Sequence, residues 1–408
     1  MRAWVRRHPF LITFITLVVA AAVAPWAMYL AWLAPGPWQP LPEVDAPTYS
    51  EVSDPGYAQA AATAIAALSA HRREQGFPGI TAAVAQNGKL LWRGGAGWQS
   101  LAPAVPVSPD TQLRIGSSSK AVTATAVARL IDRAELSLDV PIASYLDPLP
   151  NPAWQDFTLR QLFSHTAGLP GYEENTDYEG FYLTLCGCRH YDTVRDSLEI
   201  FDDSELLFQA GTDFHYSSFD TNLIGAVMAS QQGVSFAEVL QQTVLRPLGL
   251  AATGLDNDGT PRPDLATFYA IRPGEAGRWA DFDLSQRWPG GGLVSTSAEL
   301  ALIGNAWLDP TFISTGTRDA MWTPQVLANG EVNEQRYALG WRFYADQESN
   351  GRVLSYAHHG GVSKGAMSWL VVYPEFGLSI AVNINTHGQT FGDFARVEPL
   401  LREAFLQR

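Results

Sequence analysis

Ser117 and Lys120 are the residues whose types and spacing most directly indicate chemistry. Only three of the 27 cationic side chains are lysines, and Lys120 follows Ser117 by three positions at the start of an apolar, helical stretch. Residues three apart share one face of a helix, so the Lys120 amine can lie beside the Ser117 hydroxyl. A desolvated lysine can release its proton and then accept the proton that a serine loses on attacking a carbonyl carbon. The pair therefore predicts a nucleophile, Ser117, with Lys120 as its base.

A second segment contains Tyr216 and Ser218 just before another predicted helix. The phenol of Tyr216 is suited to a second acid/base role. The alternative is a packed tyrosine whose hydroxyl is hydrogen-bonded. Tyr216 is therefore a candidate second acid/base.

A third segment, His358-His359-Gly360-Gly361, joins two predicted strands. Glycines let a substrate backbone approach a strand edge, and the Gly361 N–H can pair with the Ser117 N–H as an oxyanion hole. Adjacent strand residues point to opposite faces, so the two histidines are poorly placed to bind one metal ion. We predict no metal site, and we expect a substrate to lie against Gly360 and Gly361.

The elements that must position these residues are helices and strands in a definite order. Residues 136–290 have helical patterns and few strand-like runs, which predicts a mainly helical second lobe. The predicted helices cover residues 55–76, 117–134 and 391–406, and the predicted strands cover 80–85, 89–92, 337–343, 353–357, 367–372 and 378–384. This order predicts an α+β fold, in which an antiparallel sheet flanked by helices is assembled from both chain ends and faces the helical lobe across a cleft.

The amino terminus predicts a membrane anchor. Residues 10–34 carry no charge, which is enough to span a hydrocarbon core of about 30 Å as a helix. Arg2, Arg6 and Arg7 precede this stretch, so we expect the amino end in the cytoplasm and the body outside it, in the periplasm or at the cell surface of a bacterium. We predict an anchor at residues 1–35 with a cleaved signal peptide and secretion as the alternative, a proline-rich extended tether at 36–53, and one catalytic domain at 54–408.

Charge and cysteine content exclude some functions. The net charge of -14 disfavours a nucleic acid partner. Cys186 and Cys188 are too few for a disulfide scaffold and lack the partners of a zinc site, so they are structurally incidental or form a local disulfide. The sequence does not indicate the oligomeric state.

The three segments, in this order, resemble those of the serine β-lactamase and penicillin-binding protein superfamily. The nearest branch is similar to class C β-lactamases and also holds D-aminopeptidases, carboxypeptidases, esterases and a mitochondrial lactamase-like protein. The supporting stretches are residues 77–80, 113–117, 162–170, 246–250 and 291–297. The resemblance covers residues 56–405 and implies acyl transfer to water through an acyl-enzyme on Ser117, with no cofactor. The resemblance implies that Lys120 and Tyr216 share the proton transfer and that Ser218, His358, Gly360 and Gly361 contact the substrate.

The sequence departs from the family pattern at two places. Ser218 stands where the second motif usually has asparagine, and His358 and His359 stand where the third motif has lysine and threonine. A permanent cation is thus exchanged for imidazole, which is largely neutral at pH 7 unless perturbed. We therefore expect hydrolysis of small esters or of peptides containing D-amino acids, with β-lactam hydrolysis weak. The alternative function is a receptor for penicillin or cell-wall peptides that is non-catalytic or traps the acyl group.

Two further features concern the surroundings of the site. Residues 172–205 match no family segment and show little periodicity, so we interpret them as a lid over the cleft. His165 lies in a stretch that resembles the family, and we interpret it as structural.

Overall fold

The computed structural model describes residues 34–42, 46–347, 351 and 353–406. The strands are β1 Trp38–Pro40, β2 Thr48–Val52, β3 Gly79–Gln86, β4 Lys89–Leu101, β5 Ala104–Pro106, β6 Leu113–Arg114, β7 Gly254–Leu255, β8 Tyr269–Arg272, β9 Glu275–Arg278, β10 Leu293–Ser295, β11 Arg342–Gln347, β12 Val353–Ser363, β13 Ala366–Tyr373 and β14 Leu378–Ile384. The α-helices are α1 Ala58–Gln75, α2 Ser119–Asp132, α3 Leu159–Phe163, α4 Tyr178–Cys186, α5 Ser218–Gln232, α6 Phe236–Leu240, α7 Arg246–Leu248, α8 Trp288–Gly291, α9 Ser297–Ala306, α10 Thr315–Trp322, α11 Phe391–Ala395 and α12 Glu398–Leu406.

The main sheet joins the two ends of the chain. Its strand order is β11-β12-β13-β14-β3-β4-β2, with β5 paired to β4, and every pair is antiparallel. Strand β14 pairs with β3, so that Ile384 lies opposite Ile80. This confirms the predicted antiparallel sheet built from both ends of the body.

The sheet separates two hydrophobic cores, because successive side chains of a strand point to opposite faces. On β3, Ala83 and Ala85 belong to the core shared with α2 and the helical lobe. Ala82 and Val84 belong to the other core, which is closed by α1 and α12. The face on which a side chain lies therefore decides whether it can reach α2.

The predicted hairpin is confirmed, since β3 and β4 join at Asn87 and Gly88. Both residues have positive φ angles, 50° and 77°, as a tight two-residue turn with right-handed strand twist requires. The predicted last helix is divided into α11 and α12 by Arg396 and Val397. The predicted strand at 337–343 begins later, at Arg342, because the preceding chain turns under α2 at Gly340, whose φ is +74°.

The proline-rich segment contains two strands. Strand β1 pairs with β9 and, with β8, completes a small three-stranded sheet, while β2 forms an edge of the main sheet. We call the β1-β9-β8 unit the tether sheet. The predicted anchor lies outside the described residues except at its last positions, Ala34 and Pro35. Within the described ranges no single helix is long and apolar enough to cross a bilayer, although one bent pair, Ser218–Gln232 with Phe236–Leu248, passes by length and composition.

Candidate active site

Ser117 lies in a single 3-10 turn, Gly116–Ser118, that leads directly into α2. Gly116 has a φ of +49°, and a Cβ there would approach the backbone N of Val362 to 2.7 Å. Only glycine fits this left-handed, closely packed position, which sets the turn against strand β12. The Ser117 side chain is partly exposed, while Lys120, in the first turn of α2, is fully buried.

The Lys120 amine contacts three oxygen atoms. Its Nζ lies 3.4 Å from Ser117 Oγ, 2.9 Å from Ser218 Oγ and 2.8 Å from the carbonyl oxygen of Gly290. A carbonyl only accepts hydrogen bonds, whereas a hydroxyl can donate or accept. A neutral Lys120 amine can therefore donate to Gly290 and Ser218 and accept from the Ser117 hydroxyl. This is the arrangement that activates a serine.

Ser218 reaches Lys120 because it begins α5. The side chain of Ser217 caps this helix by accepting from the Phe219 N–H at 3.1 Å. The turn before the cap presents Tyr216, whose ring centroid lies 4.9 Å from Lys120 Nζ. The structure thus brings Ser117, Lys120, Tyr216 and Ser218 together.

The third segment divides between the two faces of β12. A Cβ on Gly361 would overlap the carbonyl oxygen of Ile115, so the Gly361 backbone abuts the turn that carries Ser117. His358 points to the opposite face, where its ring lies 4.6 Å from Trp369, and a Cβ on Gly360 would overlap Phe391 on that face. The structure therefore does not bring the His358 side chain or the side-chain face of Gly360 to Lys120.

His359 is the imidazole that faces the site. Its Nδ1 lies 2.7 Å from the Gly360 carbonyl oxygen and must donate to it, so Nε2 accepts from the Tyr337 hydroxyl at 2.8 Å. Burial, with the charge of Arg342, holds the pKa of His359 well below its usual range. Burial, again with Arg342, lowers the pKa of His358 to about 3. Both imidazoles are neutral at pH 7.

Arg342 supplies the permanent positive charge that the sequence reasoning missed. It is the first residue of β11 and lies opposite His358 in the sheet. Its guanidinium carbon lies 5.3 Å from the Tyr216 ring centroid and 4.8 Å from that of Tyr337. No local motif marks this arginine, because its guanidinium reaches the two rings from the edge strand of the main sheet, far along the chain from Tyr216.

A buried acid–histidine pair packs against the Tyr216 ring. His165 Nδ1 lies 2.7 Å from Asp220 Oδ2, and both side chains are 1% exposed. The His165 ring lies 4.5 Å from the rings of Tyr216 and Tyr337. Burial raises the pKa of Asp220 well above its usual range and lowers the pKa of His165 well below its own, so burial favours the uncharged form of each side chain. An acid inside an apolar helix was the available sequence signal for Asp220.

The segment at 172–205 lies beside the site. The Arg287 guanidinium packs 4.7 Å from the Tyr172 ring centroid and donates to the Thr184 carbonyl of α4 at 3.3 Å. A Cβ on Gly291, four residues after Arg287, would come 3.9 Å from Gly116. Cys186 and Cys188 are bonded to each other at the end of α4. The segment is therefore packed against Arg287, which directly precedes α8, the helix that carries Gly290.

An antiparallel sheet that holds a Ser-x-x-Lys turn against its edge is the architecture of the β-lactamase and transpeptidase-like serine hydrolases. The profile of the Beta-lactamase family matches residues 61–401. The chain belongs to this family, which confirms the resemblance found in its motifs.

Two curated proteins and one solved structure illustrate the relationship. Serine beta-lactamase-like protein LACTB, mitochondrial, of Homo sapiens is 26% identical over 421 residues, covering 83% of this chain and 75% of that protein. Esterase EstB of Burkholderia gladioli is 28% identical over 220 residues, covering 47% of this chain and 53% of the esterase. D-amino acid amidase from Ochrobactrum anthropi SV3 has a TM-score of 0.67 at 20% identity, covering 85% of this chain and 98% of the amidase. At that identity the structural likeness shows the fold alone.

Proposed function

We propose that this protein is a serine hydrolase that forms an acyl-enzyme on Ser117, with Lys120 and Tyr216 as its general acid and base. The observation that carries the proposal is the contact of 3.4 Å between Lys120 Nζ and Ser117 Oγ. Ser218 and Gly290 hold the amine in this position. A contact of this length is compatible with catalysis, because such hydrogen bonds often shorten when substrate binds.

In the first half-reaction Ser117 Oγ forms a bond to the substrate carbonyl carbon, and its proton moves to Lys120. The negative charge that develops on the carbonyl oxygen is stabilised by the N–H groups of Ser117 and Gly361. Collapse of this intermediate breaks the bond to the leaving group, which receives a proton through Tyr216. The acyl group is then an ester of Ser117.

In the second half-reaction a water molecule attacks the acyl carbon. Lys120 and Tyr216 take the proton that the water loses and return it to Ser117 Oγ as the acyl bond breaks. The products are a carboxylic acid and the free enzyme. The leaving group thus carries away the proton that Ser117 lost, and water supplies the proton that restores Ser117. Lys120 and Tyr216 carry each of these transfers, so the proposed cycle uses no cofactor.

We propose small esters, and amides or peptides of D-amino acids, as the substrates. The names of two relatives, an esterase and a D-amino acid amidase, support these classes. The neutral His359 supports a site that does not depend on a cation in the third motif. Arg342 is then the group that binds a free carboxylate of a peptide substrate, and weak β-lactam hydrolysis remains a side reaction.

We also propose that residues 10–34 anchor the protein in a membrane with the body outside the cytoplasm. The uncharged length of this stretch and the arginines before it support the proposal. Amino-terminal sequencing of protein from the membrane fraction tests it. A mature chain beginning after residue 24 would show a cleaved signal peptide instead.

Turnover separates the proposed hydrolase from an acyl-trapping receptor. The purified protein is incubated with a nitrophenyl ester, a D-alanyl peptide and nitrocefin, and product per mole of protein is followed with time. The proposal predicts many turnovers with at least one ester or peptide and none in Ser117→Ala. A single stoichiometric burst with each substrate would favour the receptor.

A further inference from the structure

The predicted membrane span ends very close to the tether sheet. The predicted span ends at Ala34, and the Gly36 N–H already donates to the Arg278 carbonyl at 2.9 Å. Two extended residues reach at most about 7 Å, whereas the headgroup layer on each side of a bilayer is roughly 5–8 Å thick. If residues 10–34 span a membrane, the tether sheet lies at the level of the lipid headgroups.

The side chains around the tether sheet are of the types that proteins place at the level of the lipid headgroups. Arg272 lies 4.3 Å from the Trp38 ring centroid, and Lys364 lies 5.2 Å from that of Trp279. The Arg278 side chain is 58% exposed. Tryptophans and cations are enriched where proteins meet lipid headgroups. Glu275 and Asp281 also lie here, each paired with an arginine.

Helix α4 is fixed to the chain that leaves the tether sheet. A Cβ on Gly187, which follows α4, would overlap the Phe282 ring, four residues after the last residue of β9. The Asp283 N–H donates to the Gly187 carbonyl at 3.1 Å, and His190 Nδ1 lies 2.7 Å from Asp283 Oδ2. The carboxyl end of α4 is therefore held against the chain that leaves the tether sheet.

The outer face of α4 is apolar and exposed. Tyr178, Tyr182 and Leu185 are 87%, 48% and 51% exposed, and their i, i+4, i+7 spacing puts them on one face of the helix. Thr184 lies on the opposite face of the helix, and its carbonyl oxygen accepts a hydrogen bond from the Arg287 side chain at 3.3 Å. No other helix in the described ranges exposes three large hydrophobic side chains. An apolar helical face beside aromatic and cationic groups is typical of a surface that rests on a membrane.

We propose that α4 and the tether sheet form one membrane-facing surface that lies on the lipid bilayer beside the Ser117 site. The inference rests on the proposed anchor, and it deepens the proposed function by naming the substrates as amphiphilic esters or peptides held in the bilayer. Tyr178 and Leu185 enter the headgroup region. Thr184, on the other face of the same helix, stays bonded to Arg287, which directly precedes the helix that carries Gly290.

A bilayer-quenching experiment tests the orientation. The full chain is reconstituted in phosphatidylcholine–phosphatidylglycerol vesicles with a fluorophore attached through Tyr178→Cys, while the natural cysteines stay disulfide-bonded. The matched control is Val353→Cys. Val353 is 52% exposed and begins strand β12. The other end of this strand, Ser363, is the end nearer the tether sheet, and it lies ten residues, or roughly 33 Å, from Val353. Brominated lipids are expected to quench the label at 178 several-fold more than the label at 353. Equal quenching at the two positions would overturn the proposal.

A second variant keeps the test independent of labelling. Tyr178→Ser with Leu185→Ser is expected to slow hydrolysis of a long-chain ester embedded in the vesicles by roughly tenfold, because two apolar groups no longer enter the bilayer. Hydrolysis of a soluble acetate ester in the same sample is expected to be unchanged. An equal effect on both esters would refute the membrane-facing surface. Release of the protein from the vesicles by an alkaline wash would refute the anchor and, with it, this orientation. If the wild type did not hydrolyse the soluble ester, the proposed function alone would be refuted.

Discussion

Replacing Lys120 with methionine tests the role of the buried amine. Methionine has a similar length and an apolar end, so Lys120→Met removes the base while filling most of the same space. General acid–base catalysis contributes about 10²–10⁴-fold, which corresponds to roughly 3 to 5 kcal/mol of transition-state stabilisation. We expect kcat/KM for a nitrophenyl ester to fall by that factor.

The effect of Lys120→Met on stability is expected to be smaller. The Gly290 carbonyl, now without its donor, costs about 1–3 kcal/mol. Part of this cost is offset because the fully buried amine is no longer removed from water. Urea unfolding measures the net change, so a folded but inactive protein can be distinguished from an unfolded one.

The chain offers a matched control for this experiment. Lys89 is an exposed lysine at the turn of the first hairpin, and Lys89→Met is expected to leave both activity and stability unchanged. If Lys120→Met hydrolysed the ester at the rate of Lys89→Met, the assignment of the base would be refuted.

Three further predictions concern other parts of the molecule. Burial raises the pKa of Glu398 from 4.5 to about 7. Between these pH values the folded state holds a proton that the unfolded state releases. The free energy of unfolding should therefore fall by roughly 3 kcal/mol as the pH rises from 4.5 to about 7. Glu398→Gln should remove that slope in urea titrations at pH 5 and pH 8, and a parallel slope in both proteins would contradict the assignment. His359→Phe should lower kcat/KM, whereas His358→Phe should not, because only His359 faces Lys120; equal losses would show that the face assignment is wrong. Arg342→Met should reduce kcat/KM for a D-peptide with a free carboxylate by about tenfold relative to its amide, and an unchanged ratio of the two rates would remove Arg342 from substrate binding.

The predictable part of the fold is the part with strong local signals. Asn87 and Gly88 specify a tight hairpin turn, and the runs rich in apolar residues on either side of it, residues 80–85 and 89–92, indicate the strands that pair there. The start of β11 was misplaced because the apolar run before it is buried by packing under α2, and burial gives the same pattern in a loop as in a strand.

The residues of the candidate site also differ in how far the sequence predicts their positions. Ser117, Lys120 and Tyr216 lie at the starts of helices, where short spacings in sequence determine which side chains meet. His358 and His359 are adjacent, and the choice between them depends on which face of β12 meets α2. Arg342 comes to the site from the edge strand β11, far along the chain from Tyr216. Contacts of this kind depend on the tertiary arrangement of the sheet, and no short stretch of sequence contains that information.

Covalent labelling of Ser117 tests the central claim most directly. The folded protein is treated with a fluorophosphonate, and intact mass and tandem mass spectrometry determine how many groups are attached and to which residue. We predict one group per chain, attached to Ser117, and no label in Ser117→Ala. Label that persists in Ser117→Ala, or that is found on another residue of the wild type, would contradict the account.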